Sequence, residues 1–404
     1  MTEINGQDLR VDRIQRIALF IGLIGFVLSA AGVFLSDPGQ FFYSYLFAYL
    51  FWFGISLGSL AGVMLHYLVG GNWGLVIRRL LEAAAKTLWL MVLLFLPLII
   101  GLPHLYPWAN PEIVAADPLL QGKSPYLNIP FFILRAILYF AIWIVLMALL
   151  TRWSRQPEVF TDPVLRRRFQ RVSAFGLILY FLTMTFASVD WLMALQPIWI
   201  STIYGMLIIM EQLLSGLAFA VLFLPFLLAR HLALREAVSP GHIRDLGAFL
   251  LTAVVLWAYL AFFQYLVIWS GDLPREVIWY IIRFSGGWLY VGLFIVFLQF
   301  GLPFIVLLSA QAKQNPQVLA GLGLIILAGN LVDYFWQVAP VFRPSGFSIH
   351  WLDLSLPVAI GGMWFAAFTW MLNRTPQTIY PEPRGQTRME KAIEHEAGQS
   401  TARG

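Results

Sequence analysis

Long apolar runs dominate the chain, and polar or proline-rich connections separate them. A transmembrane helix needs about 17–25 predominantly apolar residues, and ten runs reach this length. They cover residues 14–35, 43–69, 86–106, 130–151, 170–191, 199–229, 246–269, 287–310, 318–338 and 356–372. The pattern predicts an all-α integral membrane protein with ten transmembrane helices. The first run has no small-residue cleavage site, so we expect it to remain as a helix and not to be removed as a signal peptide.

Connections rich in lysine and arginine alternate along the chain with connections that contain few of them. Of the 26, 21 lie on the side that carries both chain ends. The other five are Lys123, Arg135, Arg275, Arg283 and Arg343. Because cytoplasmic connections are enriched in lysine and arginine, both termini are predicted to be cytoplasmic. The predicted organisation is a cytoplasmic N-terminal segment (1–13), a ten-helix transmembrane domain (14–373) and a cytoplasmic polar tail (374–404).

The composition agrees with this class and narrows the chemistry. Of 404 residues, 60% are hydrophobic and 12% are charged, whereas soluble proteins carry about 25% charged residues. Basic cytoplasmic connections account for the net charge of +5, so the expected partner is a lipid bilayer and not nucleic acid. The lack of cysteine excludes disulfides, thiolate-held iron–sulfur clusters and covalent c-type haem in this chain. Of six histidines, His66 lies in a predicted span and His104 at the outer edge of another, so we predict no catalytic residue, metal ion or redox centre in the chain itself.

Polar residues recur at helical spacing in the fifth and sixth runs, and each set includes an acid. The two sets are Ser173, Tyr180, Thr183 and Asp190, and Tyr204, Glu211 and Ser215. Glu211 lies about 12 residues into its run, roughly 18 Å deep, where an ionisable group costs several kcal/mol unless it faces protein or water. We predict that the two polar stripes face each other. The structural alternative is an acid that only hydrogen-bonds across a helix interface, with Gln264 of the seventh run within reach.

Two further ionisable residues extend this pattern. Asp333 shares a helix face with Asn330 and Gln337 in the ninth run, and His66 lies near the cytoplasmic end of the second. In order of predicted depth, the four ionisable groups step from the inner to the outer side. The candidates for the resulting proton path are His66, Glu211, Asp333, Asp190, Tyr204 and Gln264. The alternatives of an interfacial histidine for His66 and a helix-end anchor for Asp190 stay open.

Two other patterns in the spans indicate packing and not chemistry. Gly54, Gly58 and Gly62 repeat at four-residue spacing, which lets another helix approach closely. Glu82 and Lys86 are four residues apart at the predicted start of the third span, and this spacing is typical of a solvated helix-end ion pair.

The predicted outer connections are long and rich in aromatic residues and proline. Residues 103–130 contain six prolines, and the connection at 269–288 contains Asp272, Arg275 and Glu276 between tryptophans. Such loops are long for simple connectors. We interpret Asp272, Arg275 and Glu276 as candidates for docking a partner protein, and a loop resting on its own helix ends is the alternative.

Three long sequence motifs resemble a known family. SVDWLMALQPIWISTIYGM (188–206), FFQYLVIWSGDLPREVIWY (262–280) and WLDLSLPVAIGGMWF (351–365) are similar to the ActF membrane subunit of bacterial alternative complex III, a quinol:electron-acceptor oxidoreductase related to NrfD/PsrC-like proteins. The resemblance implies two four-helix bundles (spans 2–5 and 6–9) with spans one and ten outside them, in the bacterial inner (cytoplasmic) membrane. It also implies a proton path, which we carry onto Asp190 and Glu211.

The resemblance further implies partners and cofactors outside this chain. The expected partners are a sister ten-helix NrfD-like subunit, a periplasmic iron–sulfur subunit and c-type cytochrome subunits, with iron–sulfur clusters and haem c on those subunits. Quinol, either menaquinol or ubiquinol, is a possible ligand. The leading hypothesis is therefore a membrane subunit that contributes a transmembrane proton path and anchors its partners. A stand-alone secondary transporter and a purely structural membrane anchor are the alternatives.

Overall fold

The computed structural model describes residues 6–35, 37–154, 162–230, 235 and 238–374. These residues form helices and short connections, without a β-strand in the described ranges. The α-helices are α1 (Gly6–Leu35), α2 (Pro38–Val69), α3 (Asn72–Lys86), α4 (Leu88–Leu93), α5 (Leu96–Ile100), α6 (Leu102–Leu105), α7 (Pro111–Ala116), α8 (Pro118–Lys123), α9 (Ile129–Trp153), α10 (Pro163–Trp191), α11 (Tyr204–Arg230), α12 (Pro240–Gly271), α13 (Pro274–Phe284), α14 (Trp288–Val296), α15 (Leu302–Leu308), α16 (Ala310–Gln314), α17 (Pro316–Phe342) and α18 (Trp351–Asn373).

Ten helical segments of the described chain are long and apolar enough to cross a membrane, which confirms the predicted all-α membrane fold. They are Arg13–Gly32, Pro38–Val69, Val76–Ile100, Ile129–Trp153, Pro163–Leu195, Tyr204–Arg230, Pro240–Gly271, Trp288–Leu308, Pro316–Phe342 and Trp351–Asn373. The predicted N-terminal segment is partly helical, because α1 begins at Gly6. Residues 1–5 and the predicted tail beyond Arg374 lie outside the described residues.

Several predicted span boundaries are wrong by five residues or more: the second, fifth, seventh and tenth spans begin five to seven residues earlier than predicted, and the third and sixth differ for reasons that the structure shows. The third span begins at Val76 and not near 86, because the charged residues of α3 are buried inside the protein and do not mark its edge. The sixth begins at Tyr204 and not at 199. There, Trp199 is held outside the helix by stacking on Trp279 of α13, with ring centroids 5.1 Å apart, so the helix starts after this contact.

The crossing of α2 and α11 forms the centre of the molecule, and these are the two most buried membrane-length helices of the described chain. A Cβ atom added at Gly58 would lie 1.7 Å from the backbone oxygen of Gln212, and one added at Gly216 would lie 2.7 Å from the backbone of Gly58. The two helices therefore touch backbone to backbone, which only glycine permits at this crossing. Gly54 and Gly62, the other members of the motif, face Tyr334 and Leu81.

The remaining long helices surround this centre. Helices α3, α10, α17 and α18 contact α2, while α10, α12 and α17 contact α11. Helix α1 packs along α18, and side chains such as Phe20 and Val27 on α1 are exposed. An exposed apolar surface of this kind suits contact with lipid.

The segment from α12 to α15 has an irregular geometry that shapes the region described next. Helices α12 and α14 are connected through the short amphipathic helix α13. Between α14 and α15 the chain forms one turn of π-helix, Phe297–Gly301, followed by Pro303. A π-helical turn inserts an extra residue and is frequent at functional sites. Here the turn places Gln299 in the protein interior, facing α17.

Candidate functional site

Two buried carboxylates, Glu211 of α11 and Asp333 of α17, share one amide donor. The Nε2 atom of Gln337 donates to Oε2 of Glu211 at 3.0 Å and to Oδ1 of Asp333 at 3.1 Å. Glu211 is fully buried, and Asp333 and Gln337 are nearly so. The spacing of α17 explains the arrangement, because Asp333 and Gln337 are one helical turn apart on the face that meets α11.

A chain of hydrogen bonds continues from this pair along the helix interface. Gln299 of the π-helical turn donates to Oδ2 of Asp333 at 3.0 Å and accepts from Asn330 at 2.9 Å. Ser215, one turn beyond Glu211, donates to Asn330 at 2.7 Å. The amides hold the carboxylate of Asp333 from both sides, so its orientation is fixed by α17 and the π-helical turn together.

Tyr204 and Arg283 contact Gln337 on the side of the acid pair opposite to Ser215. The Tyr204 hydroxyl donates to Oε1 of Gln337 at 2.6 Å. Arg283 of α13 is fully buried and donates to the backbone oxygens of Gln337 at 2.5 Å and Trp336 at 3.2 Å. Burial lowers the pKa of Arg283 to about 9, which leaves the guanidinium protonated at neutral pH. Arg283 therefore holds the end of α17 through its bonds to the backbone of Gln337 and Trp336. It forms no ion pair with a carboxylate among the described residues.

Among the described residues, no cation forms an ion pair with Glu211 or Asp333, and the ion pairs there involve other acids. The Oε1 atom of Glu211 and the hydroxyl of Tyr334 are buried without a hydrogen-bond partner among the described residues. Uncompensated charge is costly in such an interior, so the geometry suits carboxyl groups that hold or exchange a proton.

A cavity of about 610 Å³ adjoins this pair between α11, α12, α13, α14 and α17. Asp333, Gln337, Tyr204 and Gln264 form a small polar end of its wall. The rest of the wall is apolar and mainly aromatic, and includes Tyr265, Trp279, Tyr280, Phe284 and Trp336. Gln264 lies in this wall and accepts from Ser201 at 3.5 Å. In the described structure the amide that bonds Glu211 is that of Gln337, and not that of Gln264, which the sequence had placed within reach.

Glu211 and Asp333 lie at the same level and not at successive depths. Because α11 begins at Tyr204, Glu211 is only seven residues, or about 10 Å, into its helix, and the predicted mid-membrane depth of 18 Å is too large. Asp333 is nine residues before the end of α17 at Phe342. The shared bond to Gln337 shows the two acids side by side, which corrects the predicted stepwise order for this pair.

Asp190 lies elsewhere and has a full set of charged and polar partners. Arg135 of α9 donates two hydrogen bonds of 2.8 Å to Asp190, from Nε to Oδ2 and from one terminal nitrogen to Oδ1. The Tyr139 hydroxyl adds a bond of 2.9 Å. Bidentate arginine–carboxylate pairs are strong and directional, and this one ties α10 to α9.

The predicted facing polar stripes of α10 and α11 do not face each other. Asp190 is on the side of α10 that meets α9, whereas Glu211 and Ser215 are on the side of α11 that meets α17. Tyr180 of α10 does contact α11, donating to Oε1 of Gln212 at 2.9 Å. The two stripes point in different directions because the polar partners of α10 lie mainly on α9, whereas those of α11 lie on α17.

His66 belongs to a separate cluster at the end of α2, away from the acid pair. It is buried beside Trp73, with ring centroids 5.5 Å apart. Glu82 of α3, also buried, accepts from Arg79 at 2.8 Å and from Ser154. The interpretation of Glu82 and Lys86 as a solvated pair is therefore wrong, because both are buried, and Arg78 and Arg79 one turn earlier pair with Glu82 at 3.8 and 2.8 Å.

The residues proposed for docking lie at the surface next to α8. Asp272 ends α12 in a left-handed conformation with φ of 45°. Arg275 and Glu276 line a shallow cleft of about 360 Å³ with Lys123. Lys123 donates to the backbone oxygen of Pro197, and burial, followed by the nearby Arg275, lowers the pKa of its ammonium group. The cleft therefore presents two cations and one acid on a single surface.

Three residues of the polar interior are missed by sequence reasoning. Gln299 lies in a run that reads as wholly apolar, and only the π-helical turn directs it inward. Arg135 and Arg283 count in the sequence as two of five loop cations, although both are buried. A single arginine inside or beside an apolar run is the signal that indicates a buried acid or backbone partner.

No group of three or more histidine, aspartate or glutamate side chains in the described ranges is arranged to hold a metal ion. No model of a known protein family matches the chain, and no curated protein matches it at a significant level.

Proposed function

We propose that this protein is the proton-conducting membrane subunit of a quinol:electron-acceptor oxidoreductase of the alternative complex III type. The observation that carries the proposal is the Glu211–Asp333 pair, two acids that share the amide of Gln337 and have no cation partner in the described residues. Two adjacent like charges in a poorly solvated site repel each other. We infer that the pair holds at least one proton at neutral pH and passes it between the two carboxyl groups.

The surroundings of the pair favour proton exchange over a purely structural role. Asp333 lines the cavity, and the Tyr204 hydroxyl in the same wall is the nearest group there that can give and accept a proton. Glu211 lies behind Asp333, and within the described residues one of its carboxyl oxygens and the Tyr334 hydroxyl are buried without a hydrogen-bond partner. Hydroxyl and carboxyl groups can both give and accept protons, while the amides of Gln337 and Gln299 keep the acids in position.

The polar cluster spans only part of the membrane. From Tyr204 to Ser215 it covers about 16 Å, and the remainder of α11, residues 216–229, carries no polar side chain. The same holds for residues 318–328 of α17. We therefore propose a half-channel that leads from one membrane surface to the acid pair. A full crossing requires a second route, and the cluster of His66 and Glu82 at the other end of the molecule is the proposed entry to it.

The helix grouping, the orientation in the membrane and the partners are proposed from the family resemblance and from the distribution of lysine and arginine. Helices α2, α3, α9 and α10 would form one four-helix bundle and α11, α12, α14 and α17 the other, with α1 and α18 outside. Both termini would face the bacterial cytoplasm. The cleft at Arg275 and Glu276 would then face the periplasm and receive an iron–sulfur or cytochrome partner. A sister ten-helix subunit would pack against the exposed apolar helices.

Purification in mild detergent tests the assembly, and a charge-neutral substitution tests the proton path. We expect haem and iron to copurify with the tagged chain. In the reconstituted complex, Glu211→Gln should reduce the number of protons moved per electron while quinol oxidation changes less. An unchanged proton-to-electron ratio would remove Glu211 from the path, and a chain that purifies without haem or iron would contradict the complex.

A structural membrane anchor is the second candidate, because the acid–arginine pair of Asp190 and Arg135 clearly ties two helices together. If every acid in the interior had this role, each acid substitution would lower the yield of assembled protein. Normal assembly of Glu211→Gln with altered proton movement separates the two functions.

A further inference from the structure

An apolar groove lies between α9 and α10, and one end of it is charged. Its volume is about 500 Å³, and its apolar wall includes Val145 and Leu149 of α9 and Phe175 and Leu179 of α10. Arg171 of α10 is the charged residue of the wall. Val145 and Phe175 are more than half exposed, so the groove opens toward the surroundings of the helices and not toward the protein interior.

The length of the groove matches one leaflet of a bilayer. It follows α10 from Arg171 to Leu179 and α9 from Ala141 to Leu149, which is about 12 Å along each helix. Half of the hydrocarbon core of a bilayer is roughly 15 Å thick. Because the apolar run of α10 begins next to Arg171, the charged end lies at the membrane surface and the apolar end near the middle of the membrane.

A second arginine lies at the charged end of the groove. Arg168 is one helical turn before Arg171 on the same face of α10, and its guanidinium stacks on the ring of Trp153 at the end of α9, 4.5 Å from the centroid. Both arginines are exposed, and neither forms an ion pair with an acid of the described residues. Asp162, at the start of α10, instead accepts from the backbone nitrogen of Val164 at 2.8 Å.

This combination of charge and apolar surface restricts the occupant. Guanidinium groups bind phosphate through paired hydrogen bonds, and an arginine stacked on an aromatic ring keeps its N–H groups for them. Free phosphate would leave the apolar groove empty, and an apolar helix would leave the two arginines without an anion. A zwitterionic lipid would bring its own cationic group against them. Basic sites between membrane helices are typical of anionic lipid headgroups.

We propose that the groove between α9 and α10 binds one anionic glycerophospholipid, with its phosphate on Arg168 and Arg171 and one acyl chain along Val145 and Phe175. The ion pair of Asp190 with Arg135 joins the same two helices at their opposite end. The lipid would therefore complete the contact of α9 with α10 where no ion pair of the described residues joins them. This inference depends neither on the proton path nor on which side of the membrane the arginines face.

The test is native mass spectrometry of the full chain, titrated in detergent with phosphatidylglycerol or with phosphatidylcholine of the same acyl chains. We expect a one-to-one adduct in which phosphatidylglycerol binds at least fivefold more tightly. Each arginine near a lipid headgroup contributes about a factor of five, so Arg171→Gln should weaken phosphatidylglycerol binding about fivefold, and the double variant with Arg168→Gln about twentyfold. The matched control is Arg16→Gln, an exposed arginine of α1, which packs along α18 and away from the groove. It should leave the affinity unchanged.

Filling the groove tests the acyl chain separately from the headgroup. Ala141→Trp and Val145→Trp should each weaken phosphatidylglycerol binding at least fivefold, whereas Leu134→Trp, at an exposed position of α9 outside the groove, should not. The inference is overturned if the two lipids bind equally, if Arg171→Gln and Arg16→Gln have the same effect, or if both filling variants bind like the wild type. A photocrosslinking amino acid at position 145 that captures another protein in native membranes, and not a phospholipid, would also overturn it.

Discussion

The buried acids of this protein fall into two regions that are built in opposite ways. Asp190 is held by two bonds from Arg135, and Asp353 near the start of α18 is likewise paired with Arg343 at 2.6 Å. From the described side chains, Glu211 and Asp333 receive only amide donors. An arginine partner stabilises the ionised acid and fixes its charge, whereas an amide donor carries no charge, and within the described residues Oε1 of Glu211 has no hydrogen-bond partner and is free to carry a proton. The comparison separates acids that join helices from acids that can exchange protons.

The largest expected effect comes from removing the arginine of a paired acid. Arg135→Met leaves Asp190 buried and charged, and should reduce the free energy of unfolding by about 3–5 kcal/mol. Thermal unfolding in mild detergent measures the loss. The double variant Arg135→Met with Asp190→Asn should recover most of it, because no charge is left unpaired. Wild-type stability of the single variant would show that the pair does not hold α9 to α10.

A smaller loss is expected when the shared amide is removed. Gln337→Leu takes the described side-chain donor from Glu211 and the acceptor from Tyr204, at a cost of about 1–3 kcal/mol. Gln264→Leu is the matched control, since Gln264 contacts neither member of the acid pair in the described structure and its bond to Ser201 is long, at 3.5 Å, so its loss should cost less. Equal losses in the two variants would mean that Gln337 does not organise the acid pair.

Neutralising either member of the acid pair should cost less stability than breaking the arginine pair. Glu211→Gln keeps the shape of the side chain and abandons no cation, so the free energy of unfolding should change by about 1 kcal/mol or less. Asp333→Asn also abandons no cation but places an amide nitrogen against the donor of Gln299 or Gln337, and should cost about 1–2 kcal/mol. Proton movement should fall strongly in the same variants. A loss of stability comparable with that of Arg135→Met would place these acids with the helix-joining group.

The smallest effect is expected at the Tyr334 hydroxyl, which is buried without a partner in the described structure. Tyr334→Phe should change the free energy of unfolding by no more than about 0.5 kcal/mol, because no hydrogen bond to the protein is lost. The same unfolding assay provides the measurement. A loss above about 1 kcal/mol would reveal a bound partner of this hydroxyl.

Helical spacing in the sequence was sufficient to find the members of the acid cluster but not their neighbours. Asn330, Asp333 and Gln337 lie on one face of a single helix, so their alignment follows from the period of 3.6 residues. The pairing of Asp190 with Arg135 depends on how two helices are rotated against each other, which the spacing within one run does not encode. For the same reason the predicted facing stripes of α10 and α11 are wrong.

The lengths of the apolar runs predict the ten membrane-length helices correctly. The predicted helix ends, and the predicted set of inward-facing side chains, differ from the structure at particular places. The start of α3 was missed because Glu82 and Arg79 neutralise each other inside the protein, so charge did not mark the membrane edge. Gln299 was missed because a π-helical turn changes which side chain points inward. Both errors arise where a tertiary contact overrides a local pattern.

The most direct test of the central claim is pH-dependent infrared spectroscopy of the full chain in lipid nanodiscs, in H2O and D2O. We predict a protonated carboxyl band that exchanges with deuterium, titrates with pH and is lost in Glu211→Gln or Asp333→Asn. The double variant Arg135→Met with Asp190→Asn should retain it. A band that persists in both acid variants, or that does not exchange in D2O, would contradict the assignment of Glu211 and Asp333 as the proton-exchanging pair.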